Sequence, residues 1–143
     1  MDSKPMMRVL TLCLSFAASA VAAHAGDLVG TVHHAIDGDD LLICGADGQC
    51  HDIRLCGIDA PDRGTRRATA KVALDAWTRS REVRCIPVGE GTVCDGRSRP
   101  TNRGRMVAQC FVAGIDVAGE QVRLGHACDW VKYSGGAYGG KPC

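Results

Sequence analysis

At 143 residues and a formal net charge of +1, the chain has the length of one ordinary domain, and its total charge singles out no acidic or basic partner. A hydrophobic content of 45% excludes a wholly disordered chain. Beyond the first residues no stretch holds the roughly 20 apolar residues that a membrane-crossing helix needs, which excludes a helical membrane protein.

The chain begins with Lys4 and Arg8, an apolar run over residues 9–23 and the small-x-small triplet Ala23-His24-Ala25. Together these read as a signal peptide over residues 1–25, with the mature domain at 26–143. Its removal takes Cys13 away and leaves eight cysteines: Cys44, Cys50, Cys56, Cys85, Cys94, Cys110, Cys128 and Cys143. An even number in an exported chain implies disulfides and a secreted or periplasmic protein, free of the membrane once the leader is gone. No C-x-x-C pair occurs among them, which argues against a structural zinc. The mature charge is segregated, with eight acids against Arg54 alone over residues 27–62 and 14 cations against seven acids from Arg63 onward. Such a division either sets an acidic cation pocket beside a phosphate-seeking surface or is mixed away by folding.

Residues 28–36 are β-compatible and end at the turn signal Asp37-Gly38-Asp39-Asp40. Residues 41–44 predict a second strand, Asp47-Gly48 a second turn, and residues 50–58 a third strand that stops at Asp59-Ala60-Pro61-Asp62. Over residues 66–80 the period lengthens to that of a helix, with Ala68, Val72, Leu74, Ala76 and Trp77 among charges and Trp77 as the anchor on the barrel. Residues 82–88 predict a fourth strand, 89–102 a Gly- and Arg-rich loop, 105–113 a fifth strand, and 117–124 a short second helix weakened by Gly119. The order predicts an α+β, mainly β, fold: a five-stranded barrel of OB type with two packed helices, and a monomer. Two disulfides follow from it, Cys44–Cys50 across the second hairpin and Cys85–Cys110 between the fourth and fifth strands. The pairing of Cys56, Cys94, Cys128 and Cys143 stays open.

Asp39, Asp59 and Asp62 stand at strand ends and turns, where carboxylates converge on hard cations such as calcium. Taken alone, Asp39 also reads as a turn residue and Asp62 as a helix cap. Arg54 interrupts an apolar strand, so it either points to solvent or is held for a purpose. Arg103-Gly104-Arg105 reads as a solvated loop or as a phosphate contact. His33, His34, His51 and His126 read as strand and surface residues rather than ligands. Trp130 and Tyr133 either stack on bases or fill the core.

In order and spacing these segments resemble the staphylococcal nuclease (thermonuclease) family over nearly all of the mature chain. Gly30-Thr31-Val32 leads to Ile36-Asp37-Gly38-Asp39, and Arg54-Leu55 is followed by Gly57-Ile58-Asp59-Ala60-Pro61, the most specific match. Further matches are Gly104-Arg105 with Val107-Ala108, the Val122-Arg123-x-Gly125-x-Ala127 segment, and Trp130 with Tyr133. The resemblance implies Asp39 and Asp59 as calcium ligands, helped by the backbone carbonyl of Ala60, with Asp40 as an added carboxylate. It implies Arg54 and Arg105 on the phosphate, Asp62 in the place of the family's water-activating glutamate, and Arg103 and Tyr133 against the substrate. The activity implied is calcium-dependent hydrolysis of DNA or RNA on the 5′ side of the phosphodiester. Five departures stand beside these matches. Asp62 is shorter than glutamate by about one carbon–carbon bond, ~1.5 Å. Asp40 replaces a threonine, Arg103 a tyrosine and Thr101 an aspartate, and the sequence stops at Lys141-Pro142-Cys143 without the family's third helix. They define an alternative expectation, a barrel that binds nucleic acid or another anion without cleaving it.

Overall fold

The structure, a computed structural model, describes residues 26–143; the signal-peptide reading of residues 1–25, with Cys13, lies outside the described residues. The elements run β1 (Leu28–Asp37), β2 (Asp40–Cys44), β3 (Cys50–Leu55), β4 (Ile58–Asp59), α1 (Gly64–Thr78) and β5 (Glu82–Pro87). They continue with β6 (Thr101–Asn102), β7 (Arg105–Val112), β8 (Ile115–Asp116), α2 (Val117–Arg123), β9 (Cys128–Asp129) and α3 (Val131–Ser134). β1, β2 and β3 form the antiparallel meander, β5 pairs with the other edge of β1, and β7 follows β5. A parallel pairing of β7 with β3 then closes a mainly β, five-stranded barrel. β6 and β8 extend β7 as hairpins, and β4 pairs with β9 off the barrel.

The alternation of the strands sends Val32, Leu41, Ile43, Ile53, Leu55 and Val83 inward, each at most 1% exposed. Burying a side chain of this size is worth about 1.5–3 kcal/mol. β7 is buried on both faces: Ala108 and Cys110 join the barrel core, while Val107 packs outside it with Cys56, Val88 and Cys94. α1 lays Ala70, Leu74 and Thr78 against the barrel at four-residue spacing, with Trp77 partly buried beside them. Val72, expected on this face, is 66% exposed. Asp75 of α1 accepts a hydrogen bond from the Ala35 amide at 2.8 Å, beside a bulge in β1, which locks helix to strand.

Several boundaries differ from expectation for local reasons. β3 stops at Leu55 because Gly57, at φ 76, turns the chain and releases Ile58-Asp59 to pair with Cys128-Asp129. A Cβ at Gly57 would meet Ser134, Tyr138 and Cys94 within 3.2 Å, so three segments close on this one position. α1 spans Gly64–Thr78, two residues earlier than 66–80, and Ser80 at φ 61 ends any continuation. Arg63 occupies its N-cap position with no side-chain cap, which overturns the reading of Asp62 as a helix cap. A third helix of four residues, Val131–Ser134, follows where two helices were expected.

Four disulfides join Cys44–Cys50, Cys56–Cys94, Cys85–Cys110 and Cys128–Cys143. The two expected ones link residues directly opposite in the β2–β3 and β5–β7 ladders. Disulfides of this number are consistent with an oxidising compartment. No helix among the described residues is long and apolar enough to cross a membrane.

Candidate functional site

Strand register assembles the polar end of the barrel. The β2–β3 ladder sets Asp40 opposite Arg54, and the β3–β7 ladder sets Arg54 beside Val107, two residues after Arg105. Asp39 precedes β2 in a turn that packs closely: a Cβ on Gly38 would lie 2.7 Å from the methyl groups of both Ala60 and Ala70. Buried Gln121 fastens this turn from α2, its amide donating to the Gly38 carbonyl at 2.8 Å and to the Ala70 carbonyl at 3.3 Å.

Arg54 does not point to free solvent. Its Nη1 donates to the Leu55 carbonyl at 2.7 Å and its Nη2 to the Ile58 carbonyl at 2.8 Å. The same Nη2 lies 3.0 Å from Asp39 Oδ2 and 3.6 Å from Asp59 Oδ1, so one nitrogen stands between the two carboxylates. Asp39 Oδ2 also accepts from the Ala60 amide at 2.9 Å. Arg105 Nη1 meets Asp40 Oδ2 at 2.7 Å. Asp39, Asp40, Arg54, Asp59, Arg105 and the backbone of Ala60 therefore meet at one end of the barrel.

The carboxylates there are short of positive charge. Burial raises the pKa of Asp39, against the opposing pull of Arg54 and the Ala60 amide. Asp40 is pushed up to about 6, first by burial and then by the charge of Asp39. Its Oδ1 is buried and finds no hydrogen-bond partner among the described residues. Hard oxygen donors, an orphaned carboxylate oxygen and two carboxylates driven toward protonation fit a hard cation in their donor chemistry. Asp59, 49% exposed, also approaches the sulfurs of Cys128 and Cys143, all within 4.8 Å of one another. Those sulfurs are bonded to each other, so they are not thiolate donors.

Asp62 stands apart. Its side chain is 84% exposed and its only ion pair among the described residues is a long one, 3.9 Å to Arg63. His33 and His34 lie on β1, one exposed and one half-buried, with their Nδ1 atoms 2.7 Å apart.

On its other side Arg54 borders a cleft of about 520 Å³ whose lining contains Arg97, Arg99, Arg103 and Lys132 and no acid. Trp130 and Tyr133 line it as well, their rings edge to face at 4.8 Å, with the Lys132 ammonium 5.2 Å from the Tyr133 ring centre. Both aromatics are half-buried, so neither is a core filler. Arg97, Arg99 and Lys132 were not singled out from the sequence. The positive balance after Arg63 was the one available signal, and it did not say which of 14 cations converge. No protein-family model matches the chain, and no curated protein matches it.

Proposed function

We propose that this chain is an exported, calcium-dependent phosphodiesterase of the staphylococcal nuclease type, built on an OB-type barrel and acting on DNA or RNA. The observation that supports it is the meeting of Asp39, Asp59, Arg54 and Arg105 beside a basic, aromatic cleft that shares Arg54. Arg54 is oriented by two backbone carbonyls and Arg105 by Asp40, so both guanidinium groups are set before substrate arrives. They would hold the phosphate oxygens and stabilise the extra negative charge of the transition state, where planar, multiply donating cations gain most. Asp39, Asp59 and Asp40, with the Ala60 carbonyl, would hold calcium, which when bound supplies Lewis-acid polarisation of the phosphate. Arg103 and Tyr133 would receive the strand, and Asp62 would orient the water. The four disulfides accord with export behind the signal peptide read in residues 1–25.

One observation favours a second reading, a binding module without cleavage. Asp62 is exposed and paired only with Arg63 among the described residues, and Arg105 is engaged by a carboxylate that the family lacks. Incubating the oxidised mature protein with single-stranded DNA, with calcium and then with chelator, separates the two. Chelator-sensitive cleavage that disappears in Arg105→Ala supports the enzyme; strand binding without cleavage supports the module. A folded sample that does neither overturns both.

A further inference from the structure

The Gly- and Arg-rich loop is not a slack connection. Asp95 gathers its start, accepting from the Gly89 and Gly91 amides at 2.7 and 2.8 Å and from Thr92 Oγ1 at 2.6 Å. Cys94 is fully buried and joined to Cys56 at the end of β3, one residue from the Gly57 turn. From this anchor the amides of Arg97 and Ser98 both donate to the Cys94 carbonyl, at 3.0 and 2.9 Å. The chain is thereby turned back across the cleft. Arg97 reaches the far wall, where its guanidinium lies over Gly135 so closely that a Cβ there would fall 2.7 to 2.9 Å from it. Arg97, Arg99, Arg103 and Lys132 form no ion pair within 4.0 Å among the described residues, in contrast to Arg54 and Arg105. Four uncompensated cations from three separate segments surround two aromatic rings. That spread exceeds what a single phosphate group can engage and matches a strand in which phosphates alternate with stacking bases.

We infer that the disulfide-clamped loop is a second phosphate-binding wall: Arg97 and Arg99 bind backbone phosphates beyond the one at the reaction centre, so that the cleft selects single-stranded polynucleotide over short fragments. The inference rests on the phosphodiesterase reading above. Arg97 and Arg99 would be strand-binding residues, and the Cys56–Cys94 bridge a positioning element that acts through them. Each phosphate neutralised releases condensed counterions, so the loop's share is readable as a salt slope, with about 0.7 of a unit per contact on a single strand.

The test is binding of fluorescent oligothymidylates, a dinucleotide and a dodecamer, to the oxidised mature protein in excess chelator over a range of salt. Arg97→Ala/Arg99→Ala is expected to weaken the dodecamer about tenfold at low salt and to flatten its salt slope by roughly 1–2 units, with a much smaller loss for the dinucleotide. Arg97→Lys/Arg99→Lys should restore most of the slope, because counterion release follows charge. Lys71→Ala/Arg123→Ala removes the same charge elsewhere and should leave both ligands as they were. Cys56→Ser/Cys94→Ser should copy the arginine pair, provided its circular dichroism stays native; if it unfolds, the arginine variants still decide. An arginine pair indistinguishable from the Lys71 and Arg123 control overturns the inference and leaves the phosphodiesterase reading standing. So does a wild type that binds the two lengths equally. A folded wild type that binds neither overturns the inference, and the phosphodiesterase reading then stands or falls on the calcium-dependent cleavage assay above. Tight binding of dextran sulfate without binding of oligothymidylate would identify a sulfated polymer as the occupant and reject the strand.

Discussion

The two polar regions that share Arg54 solve opposite electrostatic problems. At the barrel end, Asp39 and Asp40 are 7% and 6% exposed and draw Arg54 and Arg105 onto themselves. Across Arg54 the cleft displays Arg97, Arg99, Arg103 and Lys132 to solvent with no acid in its lining. Folding therefore preserves the segregation along the chain, since the carboxylates come from residues before 63 and the cleft's other cations from residues after it. The first region is closed on itself and short of positive charge; the second is open and short of negative charge. A phosphodiester with a hard cation would complete both at once, which neither could achieve alone.

Breaking the shared element should have the largest effect. Arg54→Ala would leave Asp39 buried without its ion pair and remove donors from two carbonyls, a loss of about 3–5 kcal/mol of stability. Urea unfolding at pH 7 in chelator measures it, and calcium should return part of the loss if the carboxylates bind the ion; an unchanged midpoint would mean that Arg54 holds nothing. Arg105→Ala touches the closed region at its edge, so the effect is expected in catalysis. If the enzyme reading is right, kcat/KM on single-stranded DNA should fall ~100- to 1,000-fold, as for loss of a preorganised charge donor.

The two regions should also respond to pH in opposite directions. Asp40 has its folded pKa raised to about 6, so the native state holds the proton more tightly than the unfolded chain, for which the ordinary value is 3.8. In chelator, this group makes stability fall as pH rises from about 4 to about 6, with no further change above. Asp95, at the base of the basic loop, is lowered to about 2, chiefly by the Thr92 hydroxyl and the Gly89 amide. Its contribution is present above pH 3.8 and is lost as pH falls through 2. Asp40→Asn should shrink the decline between pH 4 and 6, to which Asp39 also contributes, and leave the acid limb; Asp95→Asn should spare the decline and remove much of the acid limb. Denaturant unfolding across this range checks both, and a curve insensitive to Asp40→Asn would show that its carboxylate is not strained.

What could be read from the sequence follows the range over which each feature is determined. The meander and the Cys44–Cys50 and Cys85–Cys110 bridges were legible because hairpin turns and strand order fix cross-strand neighbours locally. Cys56–Cys94 and Cys128–Cys143 were not, because they depend on where Gly57 and α3 bring distant segments together. Arg54 was legible as an anomaly, an arginine in an apolar strand, but its carbonyl partners exist only once β3 breaks at Leu55. The resemblance placed Asp62 beside the cluster, and across the proline corner it lines a cleft with Asp59, yet only Asp59 reaches Arg54 while Asp62 pairs with Arg63. The cleft was least legible. Its cations come from a loop, a hairpin tip and a helix, and no periodicity links such positions.

The smallest effect sharpens the comparison most, because it separates binding from folding at one residue. Arg103 and Gly104 are the central pair of the two-residue turn joining β6 to β7, at φ 51 and 77. Both positive angles fit the type I′ hairpin, whose first position favours asparagine and disfavours a long side chain. Arg103 is exposed and without an ion pair among the described residues, so nothing in the packing compensates the strained backbone. Arg103→Asn should therefore stabilise the fold slightly, by less than ~1 kcal/mol. It should also flatten the salt slope of strand binding by about 0.7 of a unit, uniformly across sequences. Thermal melting and oligothymidylate titration read the two separately. A gain in stability with no loss of slope would make Arg103 an ordinary turn residue and take the hairpin out of the cleft's working surface. Loss of both would mean that the arginine supports the turn through a contact made only in solution. The opposite signs are what an exposed cation held in an unfavourable conformation for its charge should produce.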